Sequence, residues 1–322
     1  MYWLLNITVL LLICASVFLL GSFICFMLVF YSANRPTKEK YPIPAGKIYD
    51  VYRDDMIRWI DEARDTPHRK VSVTTADGLT LRGKDYEFEK GAPTEILLHG
   101  YRGSALRDLS GGVARCRAIG HNALIADHRG SGESDGHVIT FGIKESSDAL
   151  LWVDLVTKEI SPDAEVILTG ISMGAATVLM CADKKLHENV VGILADCGYT
   201  SPKAIIKKVM RQLYLPPFVL YPMVRAGAII FGGFDIESAS PIESVKNSRL
   251  PVIFFHGDAD TFVPCEMSRE NYEVCPTRKR FVKISGAGHG LAFPADREKY
   301  LTELENFFGK AEVKSDVKQS FQ

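Results

Sequence analysis

The chain has 322 residues, 47% of them hydrophobic, and a formal net charge of −1 at pH 7. That length and apolar content suffice to bury a full core, and the near-neutral balance excludes a broad basic field for nucleic acid. No zinc-type Cys/His spacing, phosphate loop or dinucleotide-type glycine fingerprint occurs in it.

The first element is an apolar leader. Residues 2–32 contain no charged side chain, and Trp3, Phe30 and Tyr31 place aromatics near both ends. About 20 apolar residues span a bilayer, whereas a secretory apolar region is about 7–15 residues long and follows a basic segment. Residues 1–32 are therefore expected to form a retained single-pass transmembrane anchor, with the lipid bilayer as a partner. Cys14 and Cys25 read as apolar filler within it. The basic residues Arg35, Lys38, Lys40 and Lys47 flank only its far end, which favours a cytoplasmic side for the rest of the chain. The five unpatterned cysteines beyond the leader point the same way.

Residues 33–69 read as a linker and an amphipathic helix. Pro36, Pro42, Pro44 and Gly46 punctuate the linker, and Met56, Ile57 and Ile60 have helical spacing within 48–64. A domain over 70–312 follows, with a tail at 313–322. It opens on two alternating runs around Asp77-Gly78, a hairpin signal. Strand-like runs then recur at Ile96, Ala123, Val166, Val191, Val252 and Phe281, mostly separated by helical stretches. This alternation predicts an α/β fold, with a mostly parallel, twisted sheet flanked by helices and loops of functional importance at the strand C-terminal ends. No strand is legible between Thr200 and Pro241. A basic helix over 205–215 and apolar, proline-punctuated runs beyond it predict a helical cap insertion at about 198–240, expected to cover the strand C-terminal ends and wall an apolar pocket there.

Gly170-Ile171-Ser172-Met173-Gly174 follows the apolar run Val166-Ile167-Leu168-Thr169 and opens a helix-like stretch. In that strand–turn–helix context G-x-S-x-G is a nucleophile elbow, holding the serine hydroxyl out on a turn too tight for bulky neighbours. A nucleophilic serine needs a base, and the base an orienting acid. Both follow, each where a strand ends. His256-Gly257-Asp258-Ala259-Asp260 comes after the run 251–255, and Gly286-Ala287-Gly288-His289-Gly290 after 280–284. Ser172 is the expected nucleophile, Asp260 the acid and His289 the base. Asp258, in the same loop, is the alternative acid and better suited to shaping the turn. The N–H of Met173 is an expected oxyanion donor, helped by the helix start.

Together with Leu98-His99-Gly100-Tyr101-Arg102-Gly103 and Asp127-His128-Arg129-Gly130-Ser131-Gly132-Glu133-Ser134, these motifs are collinear over about 70–310. The chain resembles the α/β-hydrolases, and among them bacterial membrane-anchored serine hydrolases of the esterase and serine-aminopeptidase-like kind. The resemblance implies the N–H of Tyr101 as second oxyanion donor, Asp260, four residues after His256, as acid, no metal or organic cofactor, and a catalytic domain that faces outward. The side of the membrane is thus left open. The expected activity is cleavage of an apolar or lipid-like carboxylic ester, a small-molecule acyl substrate, through an acyl-enzyme. A peptidase or acyltransferase on the same triad, or an inactive membrane-bound binding protein, are the alternatives. His99 and the 127–134 loop are expected to be structural, and His121, His128 and His137 to lie on the surface. Asp196 and Cys197 follow a strand and are placed near the site.

Overall fold

The structure, a computed structural model, describes residues 2–33 and 39–309. Arg35, Pro36 and Lys38 of the expected linker and the expected tail at 313–322 lie outside the described residues. Helix α1 (Tyr2–Val29) leads into two helices, α2 (Lys47–Asp50) and α3 (Arg53–Asp65). The hairpin forms as read, β1 (Arg69–Thr74) against β2 (Thr80–Tyr86), with Gly78 at φ 84° in its turn, a conformation that suits glycine.

Beyond the hairpin, strands and helices alternate. Strand β3 (Thr94–Leu98) leads to α4 (Ala105–Ala118), β4 (Asn122–Ala126) to α5 (Glu145–Leu155), β5 (Val166–Ile171) to α6 (Met173–Leu179) and β6 (Val190–Asp196) to α7 (Pro202–Gln212). Helices α8 (Pro217–Gly232) and α9 (Pro241–Lys246) follow without a strand between them. Strand β7 (Val252–Gly257), α10 (Cys265–Val274), β8 (Lys279–Ile284), α11 (Ala292–Ala295) and α12 (Arg297–Phe308) complete the domain. The helix starts are chemically marked. Ser104 and Ser201 each cap a following helix with the side-chain oxygen, and Pro202 occupies the first turn of α7, where its missing N–H costs nothing.

The eight strands among the described residues form one sheet in the order β1-β2-β4-β3-β5-β6-β7-β8. Pairing is antiparallel for β1–β2 and β2–β4 and parallel for the rest. Every residue of β3, β4 and β7 is buried, as expected of parallel strands covered on both faces by helices. The C-terminal ends of β5, β7 and β8 lie on one edge of this core, and the loops that leave them carry Ser172, Asp260 and His289.

Helix α1 has two different halves. Residues 2–20 are all exposed, while Ser22, Phe26 and Phe30 are buried at helical spacing. Among the described residues α1 is the one helix long and apolar enough to cross a membrane. Its second half packs along α8. Phe30 is fully buried and meets Phe141 and Phe234 edge-on at 5.7 and 5.2 Å. Ser32 N–H donates to His137 O and Ile139 N–H to Phe30 O, so the end of α1 is stitched to the domain.

Candidate active site

Glycine makes the elbow possible. A Cβ built on Gly170 would lie 2.1 Å from Gly174 O, and one on Gly174 would lie 2.0 Å from Leu98 O. Neither clash involves a movable side-chain end. Gly174→Ala is therefore expected to destabilise the chain by roughly 3 kcal/mol or more, read as a lowered denaturation midpoint; an unchanged midpoint would refute the steric argument. Ser172 itself sits at φ 56°, ψ −114°, a strained conformation that persists only where the surroundings over-determine it. Its N–H donates to Asp196 O at 2.8 Å, which locks the turn to β6.

The side chains brought to this turn form a hydrogen-bonded series. His289 Nε2 lies 2.9 Å from Ser172 Oγ, and His289 Nδ1 lies 2.7 Å from Asp260 Oδ2. Asp260 is further held by the N–H groups of Phe262 and Val263 on Oδ1 and by His256 Nε2 on Oδ2. Burial alone would raise the Asp260 pKa. The hydrogen bonds from His256 and His289, with the histidine's charge, outweigh it and hold the carboxyl well below the usual range, so it is an anion at any working pH. His256, not read from the sequence as part of the site, is braced in turn by Ser268 Oγ at 2.7 Å and Val263 O at 2.9 Å. Asp258 turns away from this group, accepting from Gly286 N–H at 2.7 Å and tying the β7 loop to the β8 loop.

The backbone N–H groups of Tyr101 and Met173 donate to no acceptor among the described residues. The loop carrying the first runs beside the serine, since a Cβ on Gly100 would lie 3.5 Å from Ser172 Cβ. His99 and Asp108 shape this loop. His99 Nδ1 lies 2.7 Å from Gly100 O, and Asp108 Oδ2 accepts from Gly100 N–H.

With this strand order and the serine on the β5 turn, the decisive comparison is with known folds. A family model for the alpha/beta hydrolase fold matches residues 96–237. The chain has the α/β-hydrolase fold. It superposes on the Pyrococcus furiosus esterase PF2001 with a TM-score of 0.64 at 20% identity, covering 87% of this chain and 97% of that one. It is 24% identical over 236 residues to the uncharacterized protein YqkD of Bacillus subtilis, spanning 73% of this chain and 77% of the relative. Against the lysophosphatidylserine lipase ABHD12 of Danio rerio the identity is 26% over 222 residues, 64% of this chain and 52% of the relative.

In this fold, Ser172 opens into a cavity of about 180 Å³ lined by Pro44, Tyr49, Met56, Tyr101, Phe262 and His289, among others. None of residues 198–240 lines it, so the wall expected from the cap comes from elsewhere. It comes from the segment before the sheet, expected only as a linker and a packing helix. Tyr49 Oη donates to His289 O at 3.1 Å, and its burial pushes the phenol up to about 12, keeping it a neutral donor. Arg107 also reaches the cavity, paired with Asp108 at 2.6 Å. The Tyr101 side chain reaches the end of α1 as well, its hydroxyl donating to Val29 O at 2.6 Å.

Other expectations change. His128 is buried, not on the surface. Its Nε2 lies 3.1 Å from His99 O, and burial, with His99 beside it, keeps the ring neutral with a pKa well below 6.5. His121 is largely buried, 3.1 Å from Glu95, while His137 is exposed. The 127–134 loop is structural. Asp127 accepts from the N–H groups of Ala105 and Glu133. Cys197 is buried at φ 48°, and its Sγ lies within 4.8 Å of ligand atoms of both Asp260 and His289. These three are the one potential metal cluster among the described residues, but two of them already bond to each other. Burial pushes the Cys197 thiol well up, which keeps it from acting as a thiolate.

Asp196 lies beneath Ser172. Its Oδ2 accepts from Tyr300 Oη at 3.0 Å, while Oδ1 is buried with no partner. Burial pushes its pKa from 3.8 up to about 6, against the pull of Tyr300, His256 and Arg115. Between those two pH values the folded state holds more protons than the unfolded one. The stability from the protonated form is complete below about pH 4 and is lost as pH rises through about 6. Asp196→Asn is expected to remove that loss, a difference of roughly 3 kcal/mol for a shift of about two units. Chemical denaturation of both proteins at pH 4 and 7 reads it; parallel pH dependence would show that Asp196 stays ionised.

Proposed function

We propose that this α/β-hydrolase is a membrane-bound serine hydrolase that cleaves a carboxylic ester with an apolar acyl chain. The observation that carries the reading is the series Ser172–His289–Asp260, at 2.9 and 2.7 Å, beside two unpartnered N–H donors. His289 Nε2 takes the serine proton as Oγ attacks the ester carbonyl. The N–H groups of Tyr101 and Met173 receive the oxyanion, each donor worth roughly 3–4 kcal/mol in such sites. His289 then protonates the departing alkoxide, and a water activated by the same ring releases the acyl group. Asp260, fixed by four hydrogen bonds, holds the imidazole with Nε2 toward the serine and stabilises the imidazolium. Pro44, Met56 and Phe262 give the cavity an apolar side. The esterase and lipase names borne by the similar proteins agree with this chemistry. Asp108 is engaged by Arg107 and Gly100 N–H, so the cavity offers no free carboxylate to a peptide amino terminus.

Retention of α1 as a membrane anchor is part of this reading. Phe26 and Phe30 belong to the buried core, so cleavage beyond them would remove core side chains, unlike release of a signal sequence. Labelling with a fluorophosphonate, alongside turnover of p-nitrophenyl esters of rising chain length, tests the function. Ser172-dependent labelling with turnover is expected. Labelling without any ester turnover would move the reading to a peptidase, and neither in folded protein would leave a binding protein.

A further inference from the structure

Where α8 stands against α1 sets a height scale. Gly21 faces Met223, Gly227 faces Ser22 and Phe26, and Gly232 faces Phe26, so the two helices run in the same direction. The exposed residues 2–20 are nineteen positions, about 28 Å of helix, close to the thickness of a bilayer hydrocarbon core of about 30 Å. If those residues cross the bilayer, its surface lies near Gly21. Helix α8 starts at Pro217, six residues before Met223, and so reaches about 9 Å past that level. The α7–α8 turn therefore projects into the depth that the exposed part of α1 occupies.

That turn is built unlike a water-facing one. Leu213, Tyr214, Leu215 and Phe218 are 62%, 96%, 42% and 83% exposed, and residues 213–224 contain no charge. Tyr214 holds φ 57°, strain that a non-glycine residue adopts only when the fold imposes it. Lys207 and Arg211 precede the apolar tip, the arrangement of an interfacial segment with its cations at headgroup level. A contiguous exposed apolar surface marks a contact site, and this one continues the exposed face of α1.

We infer that the α7–α8 turn is a second membrane contact, seated in the leaflet from which α1 emerges. The inference rests on the reading of α1 as a bilayer span. It means that the domain is held at a fixed height and tilt, not on a tether. The contact bears on the cavity, because Lys208 Nζ donates to Phe262 O at 2.6 Å and Gln212 to Thr261 O at 2.9 Å. Phe262 walls the cavity and meets His289 edge-on at 5.0 Å. The seated turn thus supports the Phe262 wall from the membrane side, where a lipid-borne ester resides.

The test uses the full chain in phosphatidylcholine vesicles that contain a fraction of anionic lipid and brominated acyl chains. Trp59 and Trp152 are buried, so they supply a constant background. Wild type compared with Trp3→Phe reads α1, and Tyr214→Trp or Phe218→Trp in the Trp3→Phe background reads the turn. The new tryptophans are expected to lose emission to bromines near the headgroup and to shift to the blue. Quenching of Trp3 without quenching at 214 or 218 would overturn the inference and leave the anchor standing. Quenching at none of the three positions would remove the anchor and the inference with it.

Discussion

Ser172→Ala is expected to lower ester turnover by roughly 10⁴–10⁶-fold, to abolish fluorophosphonate labelling, and to leave the denaturation midpoint within about 1 kcal/mol of wild type. The hydroxyl is small and 2.9 Å from His289 Nε2, so its removal takes away the nucleophile and one hydrogen bond. The turn geometry remains, because Gly170, Gly174 and the bond from residue 172 N–H to Asp196 O impose it. His289→Ala in the same protein is expected to add little further loss, since members of such a series act as one unit. Normal turnover by the Ser172→Ala protein would end the assignment of the nucleophile.

Asp260 separates orientation from acidity. Asp260→Asn keeps the shape but replaces an acceptor-only group by one that also donates. Its Oδ2 faces two histidine nitrogens, His289 Nδ1 and His256 Nε2. An amide there favours the wrong His289 tautomer, for which about 10⁴-fold loss of kcat is expected. It also leaves His256 without its carboxylate, so this variant, unlike Ser172→Ala, is expected to lose stability as well.

Much of this was legible in local chemistry. The elbow, the hairpin and the six later strands follow from short-range signals: glycine where backbones meet, Asp77-Gly78 at a turn, apolar runs ending in loops. The positions of Asp260 and His289 follow because the loops that carry them leave strand ends. What was not legible depends on contacts distant in sequence. Tyr49 reaches His289 across 240 positions, and nothing near Tyr49 signals a cavity wall. The cap reading failed at the cavity because an apolar helix after β6 has two possible partners, the site or α1, and only tertiary packing selects α1. His128 reads as a loop residue, and it is the bond to His99 O that buries it. His256 opens the run 256–260, and its brace on Asp260 appears only once the β7 loop folds back.

Removing residues 1–32 is expected to cost the domain most of its stability, a larger effect than loss of a membrane tether alone. Truncating one buried phenylalanine costs about 3–5 kcal/mol, and Phe26 and Phe30 are 6% and 0% exposed. Domain stabilities are only about 5–15 kcal/mol, so losing both leaves little. The same cut strips Tyr101 Oη of Val29 O and Arg102 of Leu28 O and Tyr31 O, freeing the loop proposed to hold the oxyanion. A chain beginning at Gly21 separates the two roles. It lacks the exposed part of α1 but keeps Ser22, Phe26 and Phe30. In detergent it is expected to unfold within a few degrees of the full chain, to retain ester turnover and to leave the membrane fraction far more readily. A chain beginning at Ala33 is expected to aggregate or to unfold well below both. Equal midpoints for the Ala33 and Gly21 chains would show that the second half of α1 is not part of the core, and would reopen its reading as a cleavable leader.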